Sequence, residues 1–95
     1  MVHVMARVIL KPEAAQAGRD IMVRLAAASR LEAGCLSYEV FQRPDAPHVF
    51  QTVERWRDQA AADAHMSTAH VGEAIAAAGP LFAAPPEILA YTQIS

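Results

Sequence analysis

The stretch CLSYEVFQRPDAPHVFQTVERW, residues 35–56, decides the fold. Its two halves, Cys35–Arg43 and His48–Trp56, are rich in β-branched and aromatic residues that suit a pleated strand. Between them, Pro44-Asp45-Ala46-Pro47 has the chemistry of a turn. The segment reads as a β-hairpin with a short loop.

Upstream of the hairpin, His3–Leu10 (HVMARVIL) reads as a first strand, broken by Lys11-Pro12-Glu13. Pro12 suits the first turn of a helix, and Ala17, Ile21, Leu25 and Ala28 then recur at helical spacing. This helix is expected to end near Glu32, with Gly34 in the left-handed position of a C-terminal cap. Downstream, Asp58 is placed to cap a second helix. That helix is expected to break at Ser67, a second N-cap, and to resume until Gly79-Pro80 stops it. Pro85 and Pro86 lead into a last strand, Glu87–Ile94. The order β-α-β-β-α-β predicts one α+β domain over residues 1–95, the ferredoxin-like split βαβ motif.

Composition narrows the partners. A chain of 95 residues that is 54% hydrophobic and 19% charged is a folding domain with a single core. Its net charge is −2 and its eight basic residues are scattered, so no basic stripe is offered to nucleic acid. Cys35 is the only cysteine, which excludes an intrachain disulfide. No segment has the pattern of a signal peptide or the length of a membrane span, and a cytoplasmic protein with no membrane partner is expected. Seven of the eight basic residues are arginine and alanine is abundant, a bias typical of GC-rich bacterial genes.

Candidate chemistry concentrates in residues 51–70. His65 stands in a helix among Ala61, Ala62 and Ala69, which leave space beside its ring for a general base. Glu54 shares a strand face with Phe50 and Trp56, so its carboxylate needs a partner, as a site residue or as a structural ion pair. Trp56 closes the strand as an aromatic anchor whose indole N–H must be bonded if buried, and the Tyr38 hydroxyl can donate to an anion. His70 follows His65 by five residues, about 140° around an unbroken helix, and shares its pocket only if the helix breaks at Ser67. His3 and Cys35 read as structural. No carboxylate lies at ligand spacing from the two histidines and no glycine-rich phosphate loop is present, so neither metal nor cofactor is expected.

Taken together, Glu32-Ala33-Gly34-Cys35-Leu36-Ser37-Tyr38, then Glu54-Arg55-Trp56, then His65 with Ser67 and His70, a late proline and Tyr91 resemble the antibiotic biosynthesis monooxygenase domain over nearly the whole chain. The resemblance implies a dimeric ferredoxin-like α/β-barrel fold with a pocket between helices and sheet. It also implies one of several activities. Members include cofactor-free oxygenases acting on quinols and polycyclic aromatics, haem-degrading enzymes, and an isomerase of a small signalling sugar derivative. The haem branch is disfavoured, because the first strand carries Ala6 and Arg7 where those members use an Asn, and His65 stands where they use a Trp. For the cofactor-free branch, the catalytic residues would be His65 as base with Tyr38, Trp56 and Glu54. Met5, Phe50, Leu81 and Phe82 would form apolar walls, with His70 beside the substrate. The competing class is a non-catalytic dimeric module that binds a hydrophobic small molecule.

The strand patterns carry one further expectation. Leu36, Tyr38 and Val40 are expected to oppose Cys35 and Phe41. Val49 and Val53 should oppose Phe50 and Trp56, and Ile88, Ala90 and Ile94 should oppose Leu89 and Tyr91. A sheet apolar on both faces needs cover on both, and in this topology the helices lie on one. A second copy packed sheet against sheet is the simplest cover. Sedimentation at low micromolar concentration should therefore give about twice the 10.2 kDa chain mass; a well-folded monomer there contradicts the dimer.

Overall fold

The computed structural model describes all 95 residues. Its elements are β1 (Val2–Ile9), α1 (Ala15–Ser29), β2 (Cys35–Gln42), β3 (Val49–Trp56), α2 (Gln59–Met66), α3 (Ala69–Ala78) and β4 (Glu87–Tyr91). Short 3₁₀ turns, Pro12–Ala14 and Gly79–Leu81, lead into α1 and out of α3. The four strands form one antiparallel sheet in the order β2-β3-β1-β4, the ferredoxin-like arrangement that the hairpin and its flanks predict. No helix is long and apolar enough to cross a membrane.

Strand parity builds the core. Phe50, Thr52, Glu54 and Trp56 alternate into the helix-covered face of β3, and all four are buried. Phe50 joins Val8, Leu10, Ala14 and Met22 in one cluster, while Trp56 joins Tyr38, Ala26 and Ala62 in another. The opposite face carries no helix and leaves Phe41, Leu89 and Tyr91 about half exposed.

Five local expectations are corrected. On β2 the pairing with β3 shifts between Cys35 and Ser37, a bulge that reverses the alternation there. Cys35 consequently packs against the core with Tyr38, and Leu36 is exposed. Helix α1 stops at Ser29 instead of Glu32. Its end unwinds through successive turns, and the Arg30 Nε donates to the Tyr38 carbonyl at 2.9 Å. Between α2 and α3 the N-cap is Thr68, one residue beyond Ser67. The Thr68 hydroxyl donates to the His65 carbonyl at 2.7 Å and accepts from the Val71 amide, serving both helices at once. Strand β4 ends at Tyr91, short of Ile94.

Gly34 is the fifth. No glycine in the chain has a positive φ, so Gly34 is not a left-handed cap. It is required by proximity, because a Cβ there would overlap the Ala61 methyl in the first turn of α2. The Gly34 carbonyl also accepts from the Arg57 amide at 2.8 Å, pinning the α1–β2 loop to the corner before α2. Gly34→Ala should cost about 1–3 kcal/mol by overpacking, read as a fall in melting temperature. Adding Ala61→Gly should recover part of it. Two independent, additive losses in that double-mutant cycle would show that the close approach is not the constraint.

Candidate functional site

Between the helices and the sheet lies a cavity of about 290 Å³ with a predominantly apolar wall. His65, Tyr38 and Trp56 stand on that wall with the aliphatic side chains of Met22, Leu25 and Val71. His65 reaches it from the last turn of α2. That helix begins where Asp58 Oδ1 accepts from the Ala61 amide at 2.8 Å, and it buries Ala62 and His65 on one face. The imidazole lies 4.6 Å from the Trp56 ring and 5.5 Å from the Tyr38 ring, centroid to centroid.

Its Nδ1 is 2.6 Å from Oε2 of Glu32, which projects from the loop after α1. An ionised carboxylate only accepts, so Nδ1 carries the hydrogen, and in the neutral ring Nε2 keeps its lone pair. Nε2 has no protein partner, yet the only buried, unpartnered side-chain polar atom is the Ser29 hydroxyl. With the ring on the cavity wall, Nε2 opens onto the cavity. This arrangement presents an imidazole whose orientation is fixed from behind.

His70 does not reach the cavity. It stands in the first turn of α3 and donates from Nε2 to the same Glu32 oxygen at 2.8 Å. The break at Ser67–Thr68 brings the two histidine rings to 5.9 Å, which a continuous helix would prevent. On its other side His70 faces a groove between α1 and α3 that also contains Arg24 and Glu73. Glu32, His65 and His70 thus place three metal-ligating atoms within 4.8 Å of one another, and a carboxylate does join the histidines despite its distance in sequence.

Glu54 is on the cavity wall but fully engaged. It accepts from the Trp56 indole N–H at 3.0 Å and from the Thr52 hydroxyl at 2.6 Å, while Thr52 Oγ1 accepts from the Ala6 amide at 2.9 Å. These are the bonds of a structural anchor holding Trp56 in place. Burial, reinforced by the nearby Glu54 charge, pushes the Tyr38 phenol well above its ordinary value, so the hydroxyl keeps its proton. Of the expected apolar walls, Phe82 lines the cavity. Met5 lies on the opposite face of the sheet beside Leu89, because its strand parity is odd where the buried residues are even. Phe50 and Leu81 belong to the core cluster beneath α1 and do not line the cavity. Glu32 is the residue that reading the sequence for site chemistry missed. Its only signal was its place in the Glu-x-Gly-Cys motif.

Residues 1–77 match the sequence profile described as antibiotic biosynthesis monooxygenase. The chain belongs to the antibiotic biosynthesis monooxygenase family. A Bacillus subtilis relative named "Putative monooxygenase YcnE" is 29% identical over 94% of each chain. A crystal structure described as an antibiotic biosynthesis monooxygenase superposes over 100% of both chains with a TM-score of 0.93 at 26% identity. The structure of PA3566 from Pseudomonas aeruginosa is 30% identical, covering 99% of this chain and 94% of that one, with a TM-score of 0.90. Membership supports a monooxygenase-type function.

The Tyr38 environment has a consequence for alkaline pH. A phenol whose folded pKa lies above its unfolded value of 10.0 contributes stability below pH 10, and that stability is lost as pH rises further. In a Tyr91→Phe background, phenolate absorbance should appear only together with unfolding. Phenolate formation in the folded protein near pH 10 would contradict the burial account.

Proposed function

We propose that the protein is a cofactor-independent monooxygenase that oxidises a small quinol or enolisable aromatic with O₂. The observation that carries this reading is the Glu32–His65 pair, with Nε2 of His65 turned to an apolar cavity. Triplet O₂ reacts poorly with closed-shell organic molecules, but a deprotonated quinol or enol is electron-rich enough to reduce it directly. Nε2 takes the substrate proton, and Glu32 stabilises the imidazolium that results. The substrate anion passes one electron to O₂, and the radical pair joins as a peroxide at carbon. The peroxide regains a proton from His65 and loses water, leaving a carbonyl. One oxygen atom enters the product and the other leaves as water.

The apolar wall excludes bulk water, which keeps the anion reactive. Tyr38, protonated through its burial, donates to the developing oxyanion. Trp56, held by Glu54, supplies a flat surface against His65. A second copy covering the outer sheet face completes the proposed homodimer, consistent with the exposure of Phe41, Leu89 and Tyr91.

Oxygen uptake with a panel of quinols and enolisable aromatics tests the reading. His65→Ala should lower turnover per folded molecule by roughly 10²–10⁴-fold, the usual worth of a general base. Glu32→Gln, which can present an N–H to the ring and favour the wrong tautomer, should lower it as well. Tight binding of such compounds without oxygen uptake would make the protein a binding module. Full activity in a folded His65→Ala protein would remove His65 from the mechanism.

A further inference from the structure

We propose that Glu32, His65 and His70 also form a reversible zinc site, and that its occupancy switches off the cavity-facing base. The switching half rests on the reading of His65 as the base; the binding half does not. Three chain segments supply the donors: the loop after α1, the end of α2 and the first turn of α3, with all ligating atoms within 4.8 Å. Two imidazoles and a carboxylate match the borderline character of zinc, and three protein ligands leave a fourth position for water.

The cluster is closed at rest by hydrogen bonds of 2.6 and 2.8 Å. Ligands around a tetrahedral zinc ion sit about 3.3 Å apart, so the Glu32 oxygen must retreat by roughly half an ångström or a little more, and the two histidine nitrogens, up to 4.8 Å apart, must close toward each other. Glu32, on the loop between α1 and β2, is suited to the first movement, and rotation of the two imidazoles supplies the second. Access does not require the cavity. His70 faces the groove between α1 and α3, where Glu73 adds a negative charge and Arg24 a positive one.

Tautomer chemistry links the two sites. Zinc at Nδ1 of His65 displaces the hydrogen from that atom, and the neutral ring then carries its single hydrogen on Nε2. The cavity-facing nitrogen changes from acceptor to donor and can no longer take a proton. Neither ring offers its second nitrogen to a protein acceptor, a support that resident zinc histidines usually have. This favours a reversible site over a permanent one.

The test titrates chelator-stripped, whole protein with Zn²⁺ by calorimetry and with Co²⁺ by visible absorption. The proposal expects one ion per chain in the wild type. His70→Ala should weaken binding at least roughly tenfold, and Glu32→Gln should weaken it too, with melting curves confirming that both fold. Absence of binding, or binding unchanged in His70→Ala, would overturn the site; the latter indicates surface chelation through His3 or His48. Where oxygen uptake is measurable, Zn²⁺ should inhibit the wild type and spare His70→Ala relative to its own metal-free rate. Site-specific binding without inhibition would overturn the switch. A protein with no oxygenase activity would refute the functional reading while the binding titration still decides the metal site.

Discussion

One carboxylate oxygen, Oε2 of Glu32, accepts hydrogen bonds from rings on two different helices. The placement of both histidines depends on that arrangement. It sets the tautomer of His65, because an ionised acceptor demands a donor on Nδ1. It also needs the chain to break between α2 and α3, since otherwise His70 would point away from His65. Thr68 makes the break stable by capping the new helix while bonding the carbonyl of His65 itself. The loop that carries Glu32 is held beside α2 by the close approach of Gly34 to Ala61 and by the bond from the Arg57 amide.

A second polar column stands under the first. Thr52, Glu54 and Trp56 share one face of β3, and their side chains bond to one another in the interior. A carboxylate in such a position is costly unless its oxygens are occupied by good donors. An indole N–H and a hydroxyl meet that need through charge-assisted bonds, and the Ala6 amide ties the column to β1. The result is a rigid tryptophan surface against which the His65 ring rests at 4.6 Å. Two carboxylates therefore do different work: Glu54 fixes the wall, and Glu32 fixes the His65 ring.

How much of this was legible in the sequence follows from the range over which each signal acts. The hairpin, the two-helix plan and the cap at Asp58 were legible because strand alternation, turn chemistry and helical spacing are local. The faces of Cys35 and Leu36 were not, because a bulge on β2 reverses parity without any mark in composition. Met5 was misplaced for a related reason: an apolar residue on a strand declares that it is buried somewhere, not on which face. His65, Trp56 and Tyr38 were found because aromatic and titratable residues in an alanine-rich setting stand out. Glu32 was not, because the partnership joins positions separated by 33 and 38 residues, and only the folded chain brings them together.

The account turns on which nitrogen of His65 carries the hydrogen in the resting protein. Nitrogen-15 NMR of the imidazole at neutral pH, assigned through a His65→Gln control, reads this directly. The account predicts a protonated Nδ1 and an unprotonated Nε2, with Glu32→Gln disturbing that preference. A resting His65 with its hydrogen on Nε2 would contradict it, because the nitrogen facing the cavity would then have no lone pair with which to accept a proton.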